Sequence, residues 1–339
     1  MASATPITPS PSRATPDSDA RKLAMLLSAC AGPVREALEA DDVIEIMANP
    51  DGQIFIEKVG VGLVVASAGM DAAARERIIR LVASSIGEPC DRLSPIVSAE
   101  LPGGGERFEG LMPPVAQAPC FSIRKPSATP FSLDDYVAQG ALTLAQCEAL
   151  RAAASERLNI LVAGGTSSGK TTFTNALLAE AALADDRIVI LEDTRELRCA
   201  APDVVALRTH RDHVTLKQLV RSTLRLRPDR IIVGEVRGAE ALDLLKAWNT
   251  GHPGGITTLH ANSAHGALTR LEQLTLEATP RAPFDLIAEA IDVVVFMNRA
   301  GGQRRVEEAL RVTGFDGEGY QTQPLVSRSL SLVQHGETL

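Results

Sequence analysis

Nine residues in mid-chain, Gly164-Gly165-Thr166-Ser167-Ser168-Gly169-Lys170-Thr171-Thr172, carry the spacing G-x-x-x-x-G-K-[ST]. That spacing suits the holding of phosphate groups. Glycines let backbone N–H groups close around an anion where a side chain would block the approach. A helix opening at the end of the loop turns its positive pole, about half a charge, toward the same anion. Lys170 is then placed to reach the β- and γ-phosphates, and the Thr171 hydroxyl to ligate Mg²⁺. The flanks fit this reading better than that of a Gly/Ser-rich surface turn. Leu158 to Ala163 is a short apolar run that reads as a buried strand, and Thr172 to Glu180 reads as a helix. The expectation is a site for ATP and Mg²⁺.

Hydrolysis of a triphosphate also needs a carboxylate for metal or water, and positive charge near the leaving phosphate. Three later segments offer candidates, each at the carboxyl end of an expected strand, where open parallel sheets bind ligands. In Ile188-Val189-Ile190-Leu191-Glu192-Asp193-Thr194-Arg195-Glu196, Glu192 and Asp193 are placed to orient water or hold metal-bound water. An acidic pair alone would read as a loop or helix cap. In Arg230-Ile231-Ile232-Val233-Gly234-Glu235, an apolar strand ends in a carboxylate. Glu235 there is placed to polarise water or bind Mg²⁺ indirectly, and Gly234 to clear room beside the nucleotide. In Ile256-Thr257-Thr258-Leu259-His260-Ala261-Asn262, His260 is placed to sense the γ-phosphate. A lone histidine in that setting would read as structural.

These residues need a scaffold. Residues 1–19 are almost wholly Ala, Ser, Thr and Pro and are expected to be a disordered tail. Residues 20–125 read as an α+β domain. It opens with an amphipathic helix from about Ala20 to Ala40, followed by a hairpin flanking Asn49-Pro50-Asp51-Gly52 and a helix over Met70 to Ile86. Strands are expected at Ile96–Leu101, Glu106–Leu111 and Phe121–Arg124. Residues 126–134, with Pro126 and Pro130, read as a stiff linker and hinge. From 135 to 320, short apolar runs alternate with helix-period segments, which predicts a largely parallel sheet with helices on both faces. Its strands are expected at Leu158–Ala163, Arg187–Leu191, Val204–Leu207, Arg230–Val233, Ile256–Leu259 and Val293–Met297. A closing strand pair is expected within Arg304–Phe315, and residues 321–339 as a loose tail.

Composition narrows the function classes. A hydrophobic share of 45% in 339 residues supports real cores in two domains. A net charge of −8 and 3% aromatics argue against nucleic acid as a direct substrate, which wants a basic track and stacking rings. Five scattered cysteines (Cys30, Cys90, Cys120, Cys147, Cys199) without a C-x-x-C fit reduced thiols in a cytoplasmic protein. No apolar run reaches the roughly 18 residues that span a bilayer. Arg21-Lys22 before Leu23–Cys30 has the outline of a lipoprotein signal, but its apolar part is short and a polar tail precedes it.

In order and spacing, the phosphate loop, the acidic pair Glu192-Asp193, the Glu235 strand end and the Thr258–Asn262 segment resemble the type II/IV secretion traffic ATPases. The resemblance covers about residues 21 to 320. Asn49-Pro50-Asp51-Gly52, Glu106-Arg107-Phe108-Glu109-Gly110-Leu111, Pro113-Pro114 and Phe121-Ser122-Ile123-Arg124-Lys125-Pro126 look most like members serving conjugal transfer. The resemblance implies a RecA-like P-loop motor domain behind a smaller α+β domain, and a homohexameric ring with ATP between the two lobes. It also implies arginines that reach the phosphates, at the matching positions Arg107 and Arg124, with Arg195, Arg208 and Arg237 as further candidates. Two departures stand out. The family loop often has Gly where this chain has Ser167 or Ser168, and no aspartate precedes Glu235, so metal binding rests mainly on Thr171 and waters.

The resulting expectation is ATP hydrolysis by a cytoplasmic ring, peripheral at the inner membrane, working with other components of a conjugation or type IV secretion machine. Lys170 would neutralise phosphate charge, Glu235 with help from Glu192 would position water, and Thr171, Asp193 and Glu235 would serve the metal. His260 would couple the γ-phosphate to lobe movement. A DNA-translocating or recombinase motor and a small-molecule kinase are the rival readings of the same loop.

Overall fold

The structure, a computed structural model, describes residues 24–326 apart from 31, 103–104, 127–130, 182–184, 211–212 and 301–302. The chain divides into two compact units, Met1–Ala128 and Thr129–Leu339. The tail expected over 1–19, and Ala128 and Pro130 of the expected hinge, lie outside the described residues.

The first unit is a six-stranded antiparallel sheet with helices α1 (Pro33–Glu39) and α2 (Ala72–Ile86). Its strands are β1 (Val43–Ala48), β2 (Ile54–Lys58), β3 (Gly62–Val65), β4 (Ile96–Glu100), β5 (Arg107–Leu111) and β6 (Cys120–Arg124), in the order β3-β2-β1-β6-β5-β4. The β1–β2 hairpin closes as its turn residues predict, with Gly52 at φ 94° and the Asn49 N–H donating to the Gln53 carbonyl. Helix α2 starts on an Asp71 cap that accepts from the Ala74 N–H and stops at Gly87 in the left-handed region. Its face of Ile78, Ile79 and Val82 is buried against Phe108, Phe121 and Ile123.

Two expectations are corrected in this unit. The single amphipathic helix over 20–40 is two pieces, residues 24–29 and α1. Gly32 sits at φ 66° before Pro33, and a proline ring disfavours helical backbone in the residue ahead of it. Strand β3 was not expected, because Leu63 and Val65 are exposed and glycines at positive φ, Gly60 and Gly62, interrupt the pattern.

The second unit holds an eight-stranded sheet in the order β14-β13-β12-β7-β11-β10-β8-β9. Strands β7 (Ile160–Gly164), β8 (Ile188–Glu192), β9 (Val204–Arg208), β10 (Arg230–Val233), β11 (Ile256–Leu259) and β12 (Val293–Ala300) are mutually parallel. Burial on both faces explains why β7, β8, β10 and β11 read as apolar runs, whereas β9, at the sheet edge, is only partly buried. Along β7, Ile160 and Val162 face a core with helices α3 (Leu133–Ala138), α4 (Leu144–Ser155) and α5 (Lys170–Ala181). Leu161 and Ala163 face the opposite core, with α6 (Leu216–Thr223), α7 (Glu240–Asn249), α8 (Ala264–Leu276) and α9 (Phe284–Ala290).

The edges of this unit differ from expectation. Leu133 lies inside the expected linker bounds but, as the helix expected near Leu133 to Gly140 requires, it opens α3 behind a Ser132–Asp135 capping box and is fully buried. Arg304–Phe315 is not a strand pair but part of one strand, β13 (Gln303–Phe315). Its antiparallel partners are β12 and β14 (Tyr320–Pro324), the latter lying where a loose tail was expected from residue 321. The turn supplies the reason. The Asp316 carboxylate accepts from the Glu318 and Gly319 N–H groups, Gly317 takes φ 95°, and the Tyr320 ring packs 5.4 Å from Phe315.

Candidate active site

Because β7, β8, β10 and β11 run parallel as neighbours, the segments that follow them leave from one edge of the sheet. There the fold gathers most of the residues singled out by sequence.

The phosphate-type loop runs from the end of β7 into α5. Gly164 admits no side chain, since a Cβ would strike the Met297 carbonyl and lie 2.6 Å from Ser168 Oγ. The backbone turns through positive φ at Ser167 (59°) and Gly169 (94°). A serine in that region is uncommon and needs its surroundings to hold it. Lys170 is 8% exposed, and its ammonium folds back over the loop, donating to the carbonyls of Gly164 (3.0 Å) and Gly165 (2.9 Å). Ser168 Oγ is buried without a hydrogen-bond partner, an orphaned polar atom within a loop built to meet a polar ligand.

At the start of α5 the Thr171 hydroxyl donates to Glu196 Oε2 at 3.0 Å. Sequence reasoning gave Glu196 no role, although an acidic residue four positions beyond a strand-end carboxylate was the available signal. Four hydrogen bonds bring its segment to the loop. Buried Glu192 accepts the Glu196 and Leu197 N–H groups at 2.9 and 2.8 Å. From α5, Asn175 donates to the Glu196 carbonyl and accepts the Arg198 N–H. Glu192 thus braces the segment carrying Glu196. Asp193 accepts instead from the Thr209 hydroxyl at 3.0 Å and lies 4.0 Å from Arg237. Gly234 clears space for Glu192, whose Cγ would lie 3.0 Å from a Cβ there.

Beyond β10, Glu235 accepts from Arg237 at 2.6 Å. Its second oxygen, Oε1, lies 3.1 Å from His260 Nε2 but has no partner in hydrogen-bond geometry. His260 Nδ1 is 3.4 Å from the Lys170 ammonium. An ammonium only donates, so Nδ1 is the acceptor and the proton sits on Nε2, facing Glu235. Burial first, then the Lys170 charge, lowers the His260 pKa below 6.5, with Glu235 pulling the other way. Lys170, His260, Glu235 and Arg237 therefore line up across three strand ends, with His260 Nε2 close to Glu235 Oε1 but not hydrogen-bonded to it. The Thr258 hydroxyl, donating to the Gly234 carbonyl at 2.8 Å, fixes β11 against β10 beneath it.

Thr166 and Thr172 complete the loop as read from sequence. Arg195 and Arg208 are exposed on the second unit. Arg107 and Arg124 belong to the first unit, where they stand directly opposite each other across β5 and β6.

A parallel sheet whose strand ends carry such a loop, a lysine and several carboxylates defines a class of nucleotide-site α/β proteins. The chain belongs to the type II/IV secretion system protein family, whose model matches residues 32–309. The expected resemblance thus holds, including its conjugal-transfer branch. The conjugal transfer protein TrbB of Rhizobium radiobacter is 52% identical over 289 residues, which is 85% of this chain and 89% of that protein. The type IV secretion system protein VirB11 of Bartonella henselae is 30% identical, covering 81% of this chain and 90% of its own length. The fold is shared with the pilus retraction motor PilT, solved with bound ADP, at a TM-score of 0.59, 19% identity, and coverage of 85% and 80%.

Proposed function

We propose that this chain is a Mg²⁺-dependent ATPase that powers a conjugal transfer or type IV secretion machine. In this reading, a RecA-like P-loop motor domain over about 135–320 follows a smaller α+β domain and works as a homohexamer. The carrying observation is the Lys170 ammonium, held on the Gly164 and Gly165 carbonyls and 3.4 Å from His260, over a loop with an orphaned Ser168 hydroxyl. A buried cation held on neutral carbonyls at a helix start is ready to exchange them for phosphate oxygens. Conjugal-transfer and secretion relatives, and a shared fold in which PilT holds ADP, support the same reading.

The donors present also fit the metal. The Thr171 hydroxyl and the Glu196 carboxylate, 3.0 Å apart, are the hard oxygens that Mg²⁺ takes. Bound there, Mg²⁺ would neutralise charge on the phosphate oxygens. Asp193 and Glu235 were the other metal residues expected from sequence. Thr209 and Arg237 hold Asp193, and Arg237 holds one oxygen of Glu235, so the leading metal role in this reading goes to Glu196 with Thr171. Lys170 neutralises phosphate charge. Glu235, with Oε1 uncommitted to a hydrogen bond, takes the proton of the attacking water, and Arg237 fixes its orientation. His260 links Lys170 to Glu235 and so reports the state of the phosphates. Glu192 serves through Glu196. Arg107 and Arg124 supply further positive charge.

Among the described residues no helix is long and apolar enough to cross a membrane. In this reading the ring is cytoplasmic and peripheral at the inner membrane, as the relatives in type IV secretion suggest. Phosphate release from Mg-ATP tests the reading. Lys170→Ala should abolish turnover, and Glu235→Gln should bind ATP without hydrolysing it. Wild-type activity in either variant removes the role given to that residue. Native mass spectrometry with nucleotide should show six copies.

A further inference from the structure

The phosphate loop is held from outside by a residue that no motif contains. β7 ends at Gly164, which pairs with Met297, while β12 continues three residues farther to Ala300. The β12–β13 hairpin therefore overhangs the loop. From β13, Arg304 donates through Nε to the Ser167 carbonyl at 3.2 Å. Its stem lies against Gly169, where a Cβ would stand 3.0 Å from Arg304 Cδ. The two loop residues it touches are the two that take positive φ, 59° at Ser167 and 94° at Gly169. For Ser167 that conformation is intrinsically unfavourable and persists only when neighbours over-determine it.

A bulge in β13 sets which side of the sheet Arg304 occupies. Met297 pairs with Val306, but Phe296 pairs with Glu308, so one extra residue sits in β13. Val306 and Ala309, three apart, both face the core that contains α5, while Leu310 and Val312 face the opposite core. Arg304, two residues before Val306, shares the α5 side and so reaches the loop that opens α5.

We propose that Arg304 is a positioning residue for the phosphate loop. It holds Ser167 and Gly169 in the conformation that presents the loop N–H groups to a nucleoside di- or triphosphate. Binding is then not charged for ordering the loop. The proposal rests on the nucleotide reading above and extends it to a residue outside every motif.

Hydrogen–deuterium exchange on the full chain without nucleotide, joined to calorimetric titration with Mg-ADP, tests it. Arg304→Met keeps the apolar stem on Gly169 and removes the donor, Arg304→Lys returns a cationic donor, and Arg305→Ala is a control on the opposite face of β13. In R304M, amides 165–169 should exchange about tenfold faster and Mg-ADP should bind about tenfold more weakly, the size expected for one charge-assisted hydrogen bond. R304K should recover most of both, and R305A should match wild type. Wild-type exchange at 165–169 in R304M overturns the proposal. So does unchanged Mg-ADP affinity, or a melting temperature lowered in R304M with no change localised to the loop. If wild-type protein fails to bind Mg-ADP, the nucleotide reading falls, while the exchange data still decide whether Arg304 orders the loop.

Discussion

Lys170 Nζ lies 3.4 Å from His260 Nδ1 while donating to two loop carbonyls, so the ammonium and the imidazole stay compatible only while His260 is neutral. Burial and the Lys170 charge lower its pKa from 6.5, against the weaker pull of Glu235. With a lowered folded pKa, the unfolded chain binds the proton first as the pH falls. The contribution of neutral His260 to stability is complete above 6.5 and is lost as the pH drops from there through the folded value. Turnover should fall over the same window, because a second cation faces Lys170. A pH–rate profile should show this acid limb in wild type and lose it in His260→Gln. An identical limb in both proteins would assign it to another group.

The Thr171–Glu196 contact makes a prediction that depends on the metal. Glu196→Gln keeps the shape of the side chain and the anchors from Glu192 and Asn175, but removes a negative oxygen beside Thr171. The Mg²⁺ concentration for half-maximal turnover should rise by about 10- to 100-fold, the range seen when a group supporting a metal site is lost. Asn175→Ala, which releases the backbone of the same segment, should move it in the same direction by less. Magnesium titrations of phosphate release check both, and an unshifted midpoint in E196Q would return the metal role to other carboxylates.

Legibility followed burial. The central parallel strands of the second unit were readable because both faces are covered, so Ile160–Gly164 is buried along its whole length and Ile188–Glu192 is apolar up to its terminal carboxylate. The loop and the strand-end residues Glu192, Glu235 and His260 were readable because their chemistry is local, each set by a few consecutive residues. Glu196 was within a quoted segment, but its partner Thr171 is 25 residues away and the bond depends on a Glu192 brace invisible in one dimension. Arg304 reaches Ser167 across 137 residues, through a strand register and a bulge that no periodicity reveals. β14 is largely exposed and polar, and it joins the sheet through its turn, the Tyr320 ring and its ladder with β13 rather than through a buried apolar face.

A glycine far from the phosphate loop carries the sheet beneath it. A Cβ at Gly255 would collide with the Trp248 ring, whose Nε1 donates to the Ile231 carbonyl at 3.0 Å. Gly255 itself donates to Asn159, next to the start of β7. Gly255→Ala must displace a buried indole, an overpacking that costs about 1–3 kcal/mol. The melting temperature should drop by roughly 5 °C, at the 2–4 °C per kcal/mol of a domain this size. Calorimetry checks it, and an unchanged melting temperature would mean that the indole has room to shift.

Arg107 and Arg124 are direct neighbours across β5 and β6, and Arg124 is exposed. Like charges placed opposite one another work against a sheet by about 0.2–1 kcal/mol, so stability alone does not call for both. The role toward phosphate proposed above from the family resemblance would account for both. Arg124→Gln should therefore leave the melting temperature unchanged or slightly raised while Mg-ATP turnover falls by about 10³-fold, the lower end of what an arginine finger supplies. The opposite signs are the test. Steady-state phosphate release and thermal melting on the same preparation read both. A protein with normal turnover and a higher melting temperature would show that Arg124 serves the surface of the first unit and leave the phosphate charge to other arginines.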